Sequence, residues 1–321
     1  MPWWVYLVRC RDGSLYTGVA TDVERRVAQH NAGRGARFTR ARRPVTLVHR
    51  EPAPDRGTAL RREAALKRLP RPLKERLLTD PAMADFTGFP AAALTFLRGL
   101  ARHNRRPWFE ARRDTYEAAV RAPMRALIEA VDVRLARAAP EIVGDPRRSM
   151  FRIHRDVRFS RDKSPYKTWA SAWFYHQDAG KGVGQEAHGG AGLYFHLEPG
   201  ACLVAGGLWM PERGALAKVR DAILADPEGF EALVTAAGFR RTYKRLSQEA
   251  VLTRTPRGYP PDHPAERWLR YKSFTASVTL TDAQVRSPRL VDTVMRRYEA
   301  LVPLVRWLNS ALGFPPVGSR Y

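Results

Sequence analysis

Cysteine is almost missing from this chain: 321 residues contain two, Cys10 and Cys202. Two isolated thiols build neither a disulfide framework nor a zinc site, so a reducing, cytoplasmic location is the expectation. Long apolar runs are missing too. No stretch approaches the ~18 residues of a membrane span, and Arg9 and Arg11 interrupt the first apolar run too early for a signal peptide. No membrane partner is expected. Acids are short relative to bases, 32 Asp+Glu against 55 Lys+Arg, which leaves a net charge of +23 and favours a polyanionic partner. There is no internal repeat. The glycines between 180 and 192 match neither a dinucleotide fingerprint nor a P-loop. His154, His176, His188 and His196 lack the tight spacing of zinc ligands.

The length suffices for two domains with cores of their own. We expect residues 1–79 to form one, 80–85 a linker, and 86–321 the second. Charge separates the two. Residues 1–80 hold 18 Lys+Arg and 8 Asp+Glu, a net of +10, more than twice the density of the remainder. Trp4 to His30 reads as strand, turn, strand and helix. Val5, Leu7 and Val8 suit a buried strand, Asp12-Gly13 is hairpin chemistry, and Thr21 with Glu24 has capping-box spacing. Gly33 can close that helix in the left-handed conformation. Arg34 to Arg43 follows as a loop with five arginines, Arg34, Arg37, Arg40, Arg42 and Arg43, around Phe38. Such a run can bring guanidinium forks to phosphates. Val45 to His49 reads as a third strand, and a helix opened by Thr58 carries Glu63 and Lys67.

Val5-Tyr6 and Tyr16-Thr17-Gly18, with Arg26 and His30 on the next helix and Glu63 on a later one, resemble the paired signature of the GIY-YIG nuclease superfamily. The likeness is to its small stand-alone bacterial branch and covers residues 2–78. Trp4 stands where the family's first half-motif has Gly. The resemblance implies a small α/β sandwich with a three-stranded antiparallel sheet, and a metal-dependent endonuclease acting on DNA. It implies Tyr6, Tyr16, Arg26, His30 and Glu63 as catalytic residues and Glu63 as the ligand of Mg²⁺ or Mn²⁺, with Arg34, Arg37, Arg40, Arg42, Arg43 and Lys67 on the nucleic acid.

The residue types suit that chemistry. One carboxylate suffices for Mg²⁺, which keeps most of its waters, and an arginine fork can neutralise a non-bridging oxygen. Tyr6 or Tyr16 could orient or deprotonate the attacking water. The resemblance favours Tyr6, although a phenol near pKa 10 needs help, and His30 is a second proton-transfer candidate. A shared site also sets a geometric condition. With a four-residue hairpin loop the tyrosines would face opposite sides of the sheet, because side chains alternate. We expect an odd loop or a bulge, which puts them on one face.

The second domain reads as α+β, with helices at both ends of a mostly antiparallel sheet. The expected strands are 168–176, 193–198, 202–209 and 274–280, and the expected last helix is 291–312. Residues 155–167 resemble an uncharacterised family with an RDxRFSxDKSPYK core, which supplies no reaction. Arg152, Arg155, Arg158, Lys163, Tyr166 and Lys167 could line an anion pocket, or could form a structural ion-pair network. A protein partner through this domain is the remaining expectation. Two alternatives stand beside the nuclease: a nucleic-acid-binding module with a silent site, and a second domain that acts on a phosphorylated small molecule.

Overall fold

The computed structural model describes residues 3–53, 55–68, 74–75, 78, 86–158, 161–180, 182 and 189–316. The expected linker and His188 lie outside them. The chain divides into two compact units, 1–85 and 86–321.

The first unit is a three-stranded antiparallel sheet in the order β2-β1-β3, with β1 at Trp3–Cys10, β2 at Leu15–Ala20 and β3 at Val45–Ala53. β1 is central and buried on both faces. Val5 and Leu7 point to one side, against Ala59 and Leu66 of the helix α3 (Arg56–Arg68). Tyr6, Val8 and Cys10 point to the other side, with Val23 of the helix α1 (Val23–Asn31). Arg9 pairs with Leu15, and the tight turn bonds Gly13 N–H to the Cys10 carbonyl at 2.8 Å. Gly13 at φ 76° supplies the left-handed residue of a bulged turn. The loop is therefore odd, and Tyr16 lies opposite Val8 on the face of Tyr6.

Two local expectations change. Asp22, not Thr21, caps α1, its carboxylate accepting from Arg25 N–H at 2.9 Å. A carboxylate is the stronger acceptor at a helix N-terminus, and from this position it reaches the N3 amide. The arginine run is not all loop either, since Arg37–Arg40 forms one helical turn. Gly33, at φ 77°, closes α1 as expected: its N–H bonds the His30 carbonyl and that of Arg34 bonds the Gln29 carbonyl.

The second unit is built on a five-stranded antiparallel meander, β4-β5-β6-β7-β8. Its strands are Ile142–Val143, Ala170–His176, Gly192–Leu197, Leu203–Leu208 and Phe274–Thr279. The short β4 was not legible in the sequence. Phe174, Phe195, Val204 and Phe274 project from one face into a core shared with the 23-residue helix Leu290–Leu312. The helices Ala91–Arg102 and Ala122–Ala138 complete that layer, the second entered through a π-helical turn at Glu117–Arg121. Gly207 sits at φ 119°, where an added Cβ would lie 2.0 Å from the Phe274 carbonyl oxygen. Gly207→Ala is expected to break the β7–β8 pairing and to cost about 2 kcal/mol or more. Thermal unfolding read by tryptophan fluorescence checks this, and an unchanged midpoint would contradict the close approach.

Candidate functional site

The sheet face that carries Tyr6 and Tyr16 is roofed by α1, which presents Arg26 and His30 one turn apart. Tyr6 is buried, with 1% of its surface exposed, and its hydroxyl lies 2.8 Å from His30 Nε2. On the other side of the ring, His30 Nδ1 lies 2.6 Å from Thr39 Oγ1, and that hydroxyl donates to the Ala36 carbonyl at 2.9 Å. With its proton committed to Ala36, Thr39 accepts from Nδ1–H. Nε2 is thereby left as the acceptor of the Tyr6 proton. The order of donation is Tyr6, His30, Thr39, Ala36. Tyr16 meets the His30 ring edge-on at 5.2 Å and stacks on Phe38 at 6.1 Å. Two glycines make the room. A Cβ on Gly18 would lie 2.6 Å from the Tyr6 hydroxyl, and one on Gly35 would lie 2.1 Å from His30 Nδ1.

Burial pushes the Tyr6 phenol up to about 12, although a hydrogen bond from Arg26 works against the rise, and the Glu63 charge adds to it. Burial, helped by the charge of Arg26, lowers the pKa of His30. The resting pair is therefore phenol and neutral imidazole. Arg26 is half-buried and donates to Gln29 Oε1 at 2.9 Å. Glu63, on α3, has a side chain only 15% exposed and pairs with Lys67 at 2.8 Å, one turn on.

Of the basic segment, Arg42 lies over the Phe38 ring at 4.2 Å and donates to Asp12, while Arg43 donates to the Arg40 carbonyl. Arg34, Arg37 and Arg40 are exposed, and their side chains have no acceptor among the described residues. In the second unit the six expected residues do not converge on one point. Arg152 and Lys167 line a cleft together. Arg155 pairs with Asp162 and Arg158 with Asp156, while Lys163 donates to the Val157 carbonyl at 2.9 Å. Tyr166 is buried, stacked on Phe109 at 4.2 Å, its backbone clamped by both ends of the Asn104 amide.

Comparison with known proteins places these features in families. Residues 2–76 match the GIY-YIG catalytic domain, and residues 92–307 match the conserved hypothetical protein family DUF2461. The chain belongs to the DUF2461 family and carries a GIY-YIG domain ahead of it. A UPF0213 protein of Desulfotalea psychrophila is 45% identical over 95 residues, 29% of this chain and 86% of that protein. One from Halobacterium salinarum is 55% identical over 73 residues, 23% of this chain and 95% of its own length. The solution NMR structure of a UPF0213 protein from Bacillus halodurans is 44% identical, covering 25% of this chain and 84% of that one at a TM-score of 0.18. The GIY-YIG unit is thus of the small UPF0213 branch and nuclease-like.

Sequence reasoning missed Thr39 and Gly35 in this GIY-YIG unit. The available signal was Thr39 itself, the sole hydroxyl in a run of arginines, since a buried histidine needs an acceptor for its second nitrogen. The pKa of His30 has a consequence for stability. The unfolded imidazole takes its proton near 6.5, the folded one only at lower pH. Between the two the unfolded state binds more protons, so this contribution is complete above about 6.5 and is lost as pH falls through that value. The thermal unfolding midpoint of the intact chain, scanned from pH 8 to 5, should fall more steeply below 6.5 than that of His30→Gln. Parallel curves would remove His30 as the cause.

Proposed function

We propose that the GIY-YIG unit is a metal-dependent endonuclease hydrolysing phosphodiester bonds in DNA. The observation that carries this reading is the 2.8 Å contact from the Tyr6 hydroxyl to His30 Nε2, with the tautomer set by Thr39. A phenol held near 12 is a poor base by itself. Joined to an imidazole with a free acceptor nitrogen, it can pass protons on. As a water attacks phosphorus, its proton moves to the Tyr6 oxygen and the phenolic proton moves to Nε2, which leaves hydroxide character on the nucleophile and imidazolium at His30. Tyr16, half-buried and leaning on the same ring, orients the water. Arg26 neutralises a non-bridging oxygen with its fixed fork.

Glu63 is the residue that would hold the divalent ion. No cluster of three His, Cys, Asp or Glu side chains exists among the described residues, so the donor set is one hard carboxylate. That suits Mg²⁺ or Mn²⁺ completed by water and substrate phosphate. When bound, the ion polarises the phosphate and stabilises the departing oxygen. Arg34, Arg37 and Arg40, with no side-chain acceptor among the described residues, supply phosphate contacts that make binding salt-sensitive.

A second reading draws support from the Glu63–Lys67 pair, which gives the carboxylate a resident cation at 2.8 Å. It makes the unit a nucleic-acid-binding module with a silent site. Labelled single strand, duplex, flap and four-way junction in DNA, with an RNA duplex beside them, separate the two when incubated with Mg²⁺ or Mn²⁺. On the nuclease reading, cutting requires metal, and Tyr6→Phe and Glu63→Ala each lower the rate by roughly 10²–10⁴. Salt-sensitive binding with no cutting by the wild type would establish the silent module instead.

A further inference from the structure

The five-stranded sheet of the second unit is covered by helix on one face. Its other face carries an aromatic trough. Alternation decides which residues stand there. Along β5, Ala172 and Phe174 enter the core while Ser171 and Trp173 face away from it. Along β6, Leu193 and Phe195 enter and Tyr194 does not. The result is a trough of about 450 Å³ walled by Phe151, Trp169, Trp173, Tyr194 and Trp209. Its floor is flat where β7 contributes Ala205 and Gly207, with Leu203 beyond them on the same side. The walls are also fixed. Tyr194 bonds His196 Nδ1 at 2.9 Å, His196 Nε2 bonds Glu198 at 3.0 Å, and Trp169 stacks on that imidazole. A slot with a flat floor and held aromatic walls accepts a planar ring.

Beside the trough lies a second cleft, of about 840 Å³, which shares Phe151, Lys167 and Trp209 with it. This cleft is cationic. The two carboxylates on its lining, Glu117 and Asp156, are already paired with Arg121 and Arg158. Arg125, Arg147, Arg152 and Lys167 line it and form no ion pair among the described residues, although Glu117 also acts on Arg125 and Arg152 on Asp156. They also act on one another: Arg152 and Arg155, added to burial, lower the pKa of Lys167, and Arg121 does the same to Arg125. Unpaired like charges crowded into a partly buried cleft are costly unless an anion joins them.

Two further features belong to the same lining. Trp173 is 4% exposed, and its buried indole N–H has no partner among the described residues. Trp209 is 55% exposed, unusual for its size, and the next residue, Met210, sits at a positive φ of 42°. An exposed ring presented by strained backbone is the kind of feature found at ligand sites.

We propose that this face is a nucleotide-binding site, with the base in the aromatic trough and the phosphate in the arginine-lined cleft beside it. The shared members Lys167, Phe151 and Trp209 stand at the junction, where the sugar would lie. Ser171, Ser277 and Glu249 on the trough lining offer acceptors and donors to the base edge. Stacking tolerates any base, and the unpaired cations recognise the phosphate. The site is separate from the nuclease reading, because every residue in it belongs to the second unit.

Calorimetric titration of the intact chain in EDTA tests it, with a nucleoside monophosphate, the matching nucleoside and inorganic phosphate as separate ligands. Anisotropy of a labelled five-nucleotide single strand runs in parallel. The monophosphate or the strand should bind at least ten-fold more tightly, by roughly one stacking interaction, than phosphate alone. Trp209→Ala and Arg152→Ala, both at exposed positions, should each weaken binding by about ten-fold, and Arg152→Ala should also flatten the salt dependence. Arg26→Ala, in the first unit, should leave calorimetric binding unchanged. Saturation by the monophosphate identifies a free nucleotide as the source of the ligand, and binding of the strand alone identifies single-stranded nucleic acid. The proposal is overturned if neither binds, if phosphate binds as tightly as the nucleotide, or if Arg26→Ala removes the binding that Trp209→Ala leaves intact.

Discussion

One extra residue in a hairpin sets up the whole first unit. β1 is buried on both faces, so each of its side chains is committed to one side or the other, and Tyr6 falls on the side of α1. Whether Tyr16 joins it depends only on the parity of the connection. Gly13 supplies the odd residue by entering the left-handed region, at little steric cost for a residue without Cβ. With an even loop in its place, Tyr16 would lie over α3, away from His30, and the aromatic line through Tyr6, His30, Tyr16 and Phe38 would not exist. Register is a strict constraint here because both faces are packed.

Much of this was legible in the residues. The strands, α1 and the Gly33 closure follow from apolar alternation, turn chemistry and helical spacing. Arg26 and His30 fall on one face by the i,i+4 rule alone. The partner of His30 could not be read. Thr39 lies in a segment expected to be a loop, and the helical turn Arg37–Arg40 that aims its hydroxyl inward forms against the rest of the unit. Local propensity does not report such tertiary help. The same holds for the cap, where the path of the entering chain brings the stronger acceptor, the Asp22 carboxylate rather than Thr21, within reach of the Arg25 amide.

In the second unit the four longer strands were legible, and the surface chemistry was not. Alternation locates Trp173 and Tyr194 on a strand but cannot say which face a helix will cover. The run 155–167 looked like an anion site because its cations are close in sequence, yet closeness in sequence also puts Asp156 and Asp162 within reach of Arg158 and Arg155. Local pairing uses up those charges. The cations that form no ion pair among the described residues, Arg125, Arg147, Arg152 and Lys167, come from separated segments brought together by the fold. No window of the sequence contains them.

The Tyr6 hydroxyl sits in a buried site. Its burial raises the phenol, and the burial of His30 lowers the imidazole, so each group is held in its neutral form. An unpaired neutral polar group in such a place would be a liability of about 1–3 kcal/mol. The chain from Tyr6 through His30 and Thr39 to the Ala36 carbonyl removes it, since every donor in the line has an acceptor. A fully satisfied line of this kind orders both rings before any substrate arrives. It can also shift its protons by one place without moving a heavy atom. Catalysis of proton transfer asks for that combination, a fixed geometry with two protonation patterns close in energy, and the opposed pKa shifts bear on it directly. They keep both rings uncharged at rest, and on the proposed nuclease reading the imidazolium would be balanced by the substrate phosphate.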